Sequence, residues 1–140
     1  MNHTAPYLQS ILDAYPELSI ASADFNTDGQ NNTVLTLNNE FIFRFPKYPV
    51  ARKRLEMETA ILAGLQGHMT LNIPHPIFTH LDAPIGEDAF VGYRMIPGEP
   101  LWRETLLAIH AEHTLDTLAL QLAGFLKELH SVPAREVIAC

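Results

Sequence analysis

The chain is 140 residues long, 47% hydrophobic and 18% charged, which is enough for one packed domain and too short for two ordinary ones. Its 16 acidic and 9 basic residues leave a formal net charge of -7. No Lys/Arg-rich run offsets that charge, which excludes a nucleic-acid binder that works by neutralising phosphates. The single cysteine, Cys140, excludes an internal disulfide. The opening MNHTAPYLQS has neither the basic nor the apolar region of a leader, and no apolar run approaches the roughly 20 residues of a membrane span. A cytoplasmic protein with no membrane partner is expected. Asn2 and Asn31 match N-x-T, a pattern that means little without a secretion signal.

From Thr4 to Tyr15 the pattern predicts a short amphipathic helix, with Thr4 at the N-cap, Pro6 in the first turn, and Tyr7, Ile11 and Leu12 on one face. Leu18 to Leu37 reads as β-type runs interrupted by the turn-rich NTDGQNN, and TVLTL leads through Asn38-Asn39 into EFIFRF as a tight hairpin. After Pro46 and Pro49 a helix follows, with Leu55, Ile61, Leu62 and Leu65 on one stripe and Gly67 placed to end it. LNIPHPIFTHL becomes strand-like after its prolines, DAPIGED is a polar turn, and AFVGYRMI is a further strand closed by PGEP. Beyond Leu101 the chain reads as helical, most clearly from Thr114 to His130, where Leu115, Leu118, Leu122, Phe125, Leu126 and Leu129 form a broad apolar stripe stopped by Val132-Pro133. The predicted class is α+β with a five-stranded antiparallel sheet.

Two charges fall on apolar surfaces. In FIFRFPK, alternation puts Phe41, Phe43 and Phe45 on one face and Ile42 and Arg44 on the other, and Glu58 lies in the stripe of the next helix. Burying either charge alone costs several kcal/mol by order of magnitude, so the two are expected to pair. Removing Glu58 from a substantially buried pair would cost about 2 to 5 kcal/mol. A plain structural salt bridge, or side chains that snorkel outward, would also account for both residues.

The ordered set FIFRFPK, LEMETAIL, FVGYRMIPGEPL and LAGFLKELHSVP resembles the first half of the aminoglycoside phosphotransferase family, in particular its 2''-phosphotransferase-like branch, over roughly residues 15 to 133. The resemblance implies a kinase-like N-terminal nucleotide-binding lobe over residues 1-97, with 98-140 as linker and start of a helical C-terminal lobe. Arg44 then occupies the place of the strand cation that meets the nucleotide phosphates, where the family more often has lysine. Glu58 orients that cation, and Ile42 forms part of the ceiling over the base. Asp28, Gly29 and Asn31 belong to the nucleotide-positioning loop, where glycine permits close backbone approach. Tyr93 stands at the gate before the linker. The backbone of Arg94, Met95 and Ile96 would offer hydrogen-bonding groups to a purine edge. The implied cofactor is ATP or GTP, with Mg²⁺ in the intact parent, and the acceptor is a hydroxyl of an aminoglycoside or another small polar molecule.

The family's catalytic loop, resembling H-G-D-x-x-x-x-N, and its later metal-binding aspartate are not found downstream of the linker, so no catalytic or metal-binding residue is assigned. His80-Leu81-Asp82 precedes the linker strand and has Glu87 where asparagine is needed. Asp24-Phe25 resembles the metal-binding pair by letters alone. His110 and His113, with His75 and His80, are too loosely spaced for a zinc site. The chain alone is expected to be inactive. The rival reading is a non-catalytic binding or oligomerising module in which Arg44 and Glu58 are only a structural pair. In the family the 114-130 helix packs into the C-terminal lobe, so here its stripe is expected to drive homo-oligomerisation.

Overall fold

The computed structural model describes residues 3–137; Asn2 and Cys140 lie outside the described residues. The elements run α1 (Ala5–Ala14), β1 (Ala23–Asn26), β2 (Asn32–Leu37), β3 (Phe41–Pro46), α2 (Pro49–Leu65), β4 (Pro76–His80), β5 (Phe90–Arg94), α3 (Arg103–Leu107), α4 (Glu112–Ser131) and α5 (Ala134–Val137). The strands form one five-stranded antiparallel sheet, as the sequence pattern predicts, in the order β1-β2-β3-β5-β4.

The β2–β3 hairpin sets the register from Leu37 opposite Phe41 to Asn32 opposite Pro46. Asn38 and Asn39 take φ of 56° and 51°, the left-handed conformation that asparagine tolerates better than most residues. Glu40, expected to begin the strand, belongs instead to the turn, where its N–H donates to Leu37 O at 2.9 Å. The Asn38 side chain also accepts from the N–H groups of Ala21 and Ser22 and donates to Ser19 O. One turn residue thereby fixes both the hairpin and the chain entering it.

Alternation along β3 divides the sheet. Phe41, Phe43 and Phe45 join Leu35, Leu37, Phe78, Phe90 and Ile11 of α1 in the core, and Tyr7 of α1 meets the Phe45 ring edge-on at 4.8 Å. Each buried phenylalanine of this kind contributes about 2 to 3 kcal/mol through removal from water. Gly92 makes the cluster possible, since a Cβ there would lie 2.6 Å from the Phe43 ring. The opposite face receives α2, which buries Ala51, Leu55 and Leu65. Helix α2 stops where expected, with Gly67 at φ +82° and the His68 N–H returning to Leu65 O.

Helix α4 begins two residues earlier than the apolar pattern indicated, and the chain turns again into α5 after the break at Val132-Pro133. No residue of α3, α4 or α5 is buried. Helix α4 is tied to the turn after α2 by Glu128, whose Oε2 accepts from the Thr70 N–H at 2.8 Å and whose Oε1 accepts from the Thr70 hydroxyl. Its apolar stripe remains open, with Leu122 60% exposed. That stripe lines a groove of about 600 Å³ together with Leu71, Leu101 and Leu106. No described helix is long and apolar enough to cross a membrane.

Candidate functional site

The site is built on the α2 face of β3. Arg44 lies opposite Val34 on one side and Val91 on the other, and its Nη1 donates to Glu58 Oε1 at 2.5 Å. The pair expected from two charges on apolar faces is therefore formed. It is less buried than that expectation assumed: the side chains are 23% and 43% exposed. A carboxylate this wet keeps much of its hydration, so breaking the pair costs about 1 to 2 kcal/mol rather than the 2 to 5 of a buried one.

Tyr93 stands opposite Ile42, which makes it the diagonal neighbour of Arg44 on the same face. The Tyr93 hydroxyl interacts electrostatically with the Arg44 guanidinium from that position. Burial pulls the guanidinium pKa down, but Glu58, with help from Tyr93, outweighs it and holds the group above the ordinary arginine value. Burial pushes the Tyr93 phenol above the usual tyrosine value, and Arg44 pulls the other way without cancelling it. The arginine is a permanent cation held by Glu58 of α2 and flanked by Tyr93 of β5.

The loop between β1 and β2 lies at the Pro46 end of β3, beyond Asn32, which is two register positions from Arg44. The Asp28 N–H donates to Asn26 Oδ1 at 2.8 Å. Gly29 packs so closely on Asn32 that a Cβ would fall 2.8 Å from its carbonyl oxygen, so glycine is required by space. The Asn31 side chain accepts from the Tyr48 hydroxyl, and its backbone carbonyl accepts from the Lys47 N–H at 3.0 Å. Lys47 Nζ donates to Thr27 O at 2.6 Å and to Gly29 O at 2.5 Å. The sequence reading missed Lys47 and Tyr48, which lie past the end of the strand alternation that made Arg44 conspicuous.

The other end of β3 carries the linker. The Arg94 side chain turns to the phenylalanine face, pairing with Glu40 and lying over the Phe41 ring at 5.1 Å. The Met95 N–H donates to Glu40 O at 2.7 Å, so that amide is engaged within the protein. Met95 and Ile96 are each 39% exposed. Arg44, Glu58, Tyr93 and Ile42 are thus brought together, Asp28, Gly29 and Asn31 gather at one end of the strand, and Arg94, Met95 and Ile96 at the other.

Chemically, a glycine loop and a fixed cation at one end suit an anion, and a partly exposed linker at the other suits a flat ring. Asn32, at the base of the loop, has a buried Oδ1 without a hydrogen-bond partner. Turning its amide over would present two donors in that place. Among the described residues no group of three or more His, Cys, Asp or Glu side chains could hold a metal ion. His80 is engaged through Nδ1 with Asp88 O at 3.0 Å.

This five-stranded sheet with its strand cation and helix carboxylate is the N-terminal lobe of a kinase-like fold, and solved structures bear out the likeness. The chain superposes on the GDP complex of wild-type aminoglycoside 2'-phosphotransferase-IIIa with a TM-score of 0.83 and 30% identity, covering 99% of this chain and 45% of that one. For the GDP and kanamycin complex of APH(2")-IIIa the TM-score is 0.82 at 30% identity, covering 95% and 44%. The streptomycin-ATP-APH(2")-IIa ternary complex shares the fold at a TM-score of 0.78 and 21% identity, covering 99% and 43%. The sequence model of the Phosphotransferase enzyme family matches residues 23–139, and the chain belongs to that family. It spans less than half the length of these solved relatives. No curated protein matches it.

Proposed function

We propose that the chain is the nucleotide-binding lobe of a small-molecule kinase, holding ATP or GTP for phosphoryl transfer to a hydroxyl of an aminoglycoside or another small polar acceptor in the cytoplasm. One observation carries this reading: Arg44, paired with Glu58, lies two register positions from Asn32, the foot of a loop whose Gly29 leaves no room for a Cβ. The family membership and the GDP and ATP complexes of the structural relatives support it.

In this reading Arg44 meets phosphate oxygens through its fork of donors, and Glu58 keeps the guanidinium aimed. Amides of the loop from Gly29 to Asn31, beyond the Asp28 N–H engaged by Asn26, neutralise further phosphate charge. Ile42 and Tyr93 bound the base, and the linker groups not engaged by Glu40 meet its edge. Mg²⁺, when bound with the nucleotide in the intact parent, would neutralise phosphate charge. The described residues supply no cluster to hold it, so no metal ligand is assigned to this chain. The 140 residues contain no H-G-D-x-x-x-x-N segment, and the chain by itself is expected to transfer no phosphoryl group.

Calorimetric titration with GDP and ATP tests the reading. Binding that is weakened about tenfold or more by Arg44→Ala supports it; a chain that takes up neither nucleotide would leave Arg44 and Glu58 as a structural pair in a non-catalytic module.

The open stripe on α4 favours a second property of the isolated chain, self-association through residues 114–130. The resemblance to the family implies that the rest of a full-length fold would pack on this helix. A second copy is the simplest substitute here, because even ~500 Å² of apolar surface carries on the order of 12 kcal/mol of gross driving force before association costs. Sedimentation equilibrium at micromolar concentration should give a dimer or larger species, reduced by Leu122→Glu; a monomeric mass would exclude it.

A further inference from the structure

The connection from β3 to α2 reaches back to the β1–β2 loop through four hydrogen bonds, and three of them come from Lys47. Its ammonium donates to Thr27 O and Gly29 O, its backbone N–H donates to Asn31 O, and the Tyr48 hydroxyl donates to the Asn31 side chain. A lysine two residues from Phe45 could extend into water at little cost. Here it gives up rotamer freedom to bind two carbonyls on either side of Asp28. Carbonyls turned toward a cation leave the intervening peptide groups fixed in direction. The same segment contains a contact that demands glycine, Gly29 against Asn32 O. The loop is therefore closed from inside by the glycine and from outside by Lys47.

We propose that Lys47 is a positioning residue for the nucleotide phosphates: it holds the 27–31 loop in the shape that directs its amides at them. This rests on the nucleotide-binding reading and deepens it, since the ammonium acts through the loop and Arg44 touches the phosphate. The two cations have separate tasks. Arg44 neutralises charge. Lys47 spends two of its three donors on the loop and fixes backbone that would otherwise have to be ordered on binding.

The test compares the full chain with Lys47→Met and Lys47→Arg. Amide hydrogen exchange without ligand reads the loop, and titrations with GDP and with guanosine read the site. In Lys47→Met, exchange at residues 28–31 is expected to rise about tenfold and GDP affinity to fall about tenfold, with guanosine affinity unchanged. Lys47→Arg, which can still donate to both carbonyls, should recover most of both losses. Unchanged exchange in Lys47→Met overturns the latch whatever the nucleotide does. Faster exchange with unaltered GDP affinity shows a loop brace with no part in phosphate binding and also overturns the proposal. Equal losses for GDP and guanosine point to a general structural role and overturn it too. Failure of the unaltered chain to bind GDP refutes the nucleotide reading itself, and the exchange data still report separately whether Lys47 orders the loop.

Discussion

Tyr93 and Arg44 are diagonal neighbours on one face of the sheet, and the guanidinium that donates to Glu58 also interacts electrostatically with the Tyr93 phenol. A strand at the centre of the sheet, the strand leading to the linker and a helix therefore meet at one cation. Any ligand that draws on Arg44 must work against, or through, both of its partners.

The Tyr93 phenol titrates above the ordinary tyrosine value of 10.0, because burial disfavours its ionised form. A raised folded-state value means that this stabilising contribution is complete below the unfolded pKa near 10 and is lost as pH rises through the folded value. Alkaline unfolding followed by phenolate absorbance should begin at lower stability in the native chain than in Tyr93→Phe, relative to each protein's stability at pH 7. Parallel pH dependence of the two would contradict this.

Replacing Glu58 by Ala should lower stability by about 1 to 2 kcal/mol in urea denaturation, since Arg44 keeps Tyr93 and partial access to water. A loss of more than about 3 kcal/mol would mean that the pair behaves as a buried one.

Gly92→Ala would place a methyl 2.6 Å from the Phe43 ring, which is fully buried and packed against Phe78 at 5.3 Å and Phe90 at 5.5 Å. The ring has nowhere to move. The expected cost is about 1 to 3 kcal/mol of overpacking, read as a lowered denaturation midpoint; a midpoint equal to that of the native chain would show that the sheet yields there.

Hydrogen bonds from the Thr70 hydroxyl and N–H hold the Glu128 carboxyl below its ordinary value near 4.5. With a depressed folded-state value, the anchor of α4 is at full strength above the unfolded pKa and is lost as pH falls through the folded one. The protection of the Thr70 amide, its exchange measured against the intrinsic rate at each pH, should therefore fall as the Glu128 carboxyl is protonated in acid, and Glu128→Gln should abolish that dependence. Protection with no acid step at Thr70 would contradict the assignment.

The alternation Phe41, Phe43, Phe45 against Ile42, Arg44 made the sheet faces legible in the sequence, because strand geometry forces a period of two and a lone arginine breaks the apolar pattern. Helical period likewise exposed Glu58, and the residue types at Asn38 and Asn39 announced their left-handed turn. The contacts that complete the site were not legible. Lys47 lies beyond the last paired residue, where no period constrains it, and its partners are backbone carbonyls that leave no mark in composition. The placing of Tyr93 beside Arg44 depends on which residues of β3 and β5 stand opposite one another, a register known only once the sheet is assembled. The extent of Glu58 exposure was equally hidden, because an apolar stripe shows which way a residue faces and not how much water remains over it.

The most direct test of the account is a GDP titration of the 140-residue chain followed by backbone amide chemical shifts. The account expects saturable shifts at residues 28–32, at Arg44 and at Tyr93 to Ile96, with α4 unaffected. The absence of shifts at millimolar GDP, or shifts confined to the groove along α4, would contradict a nucleotide site on this lobe.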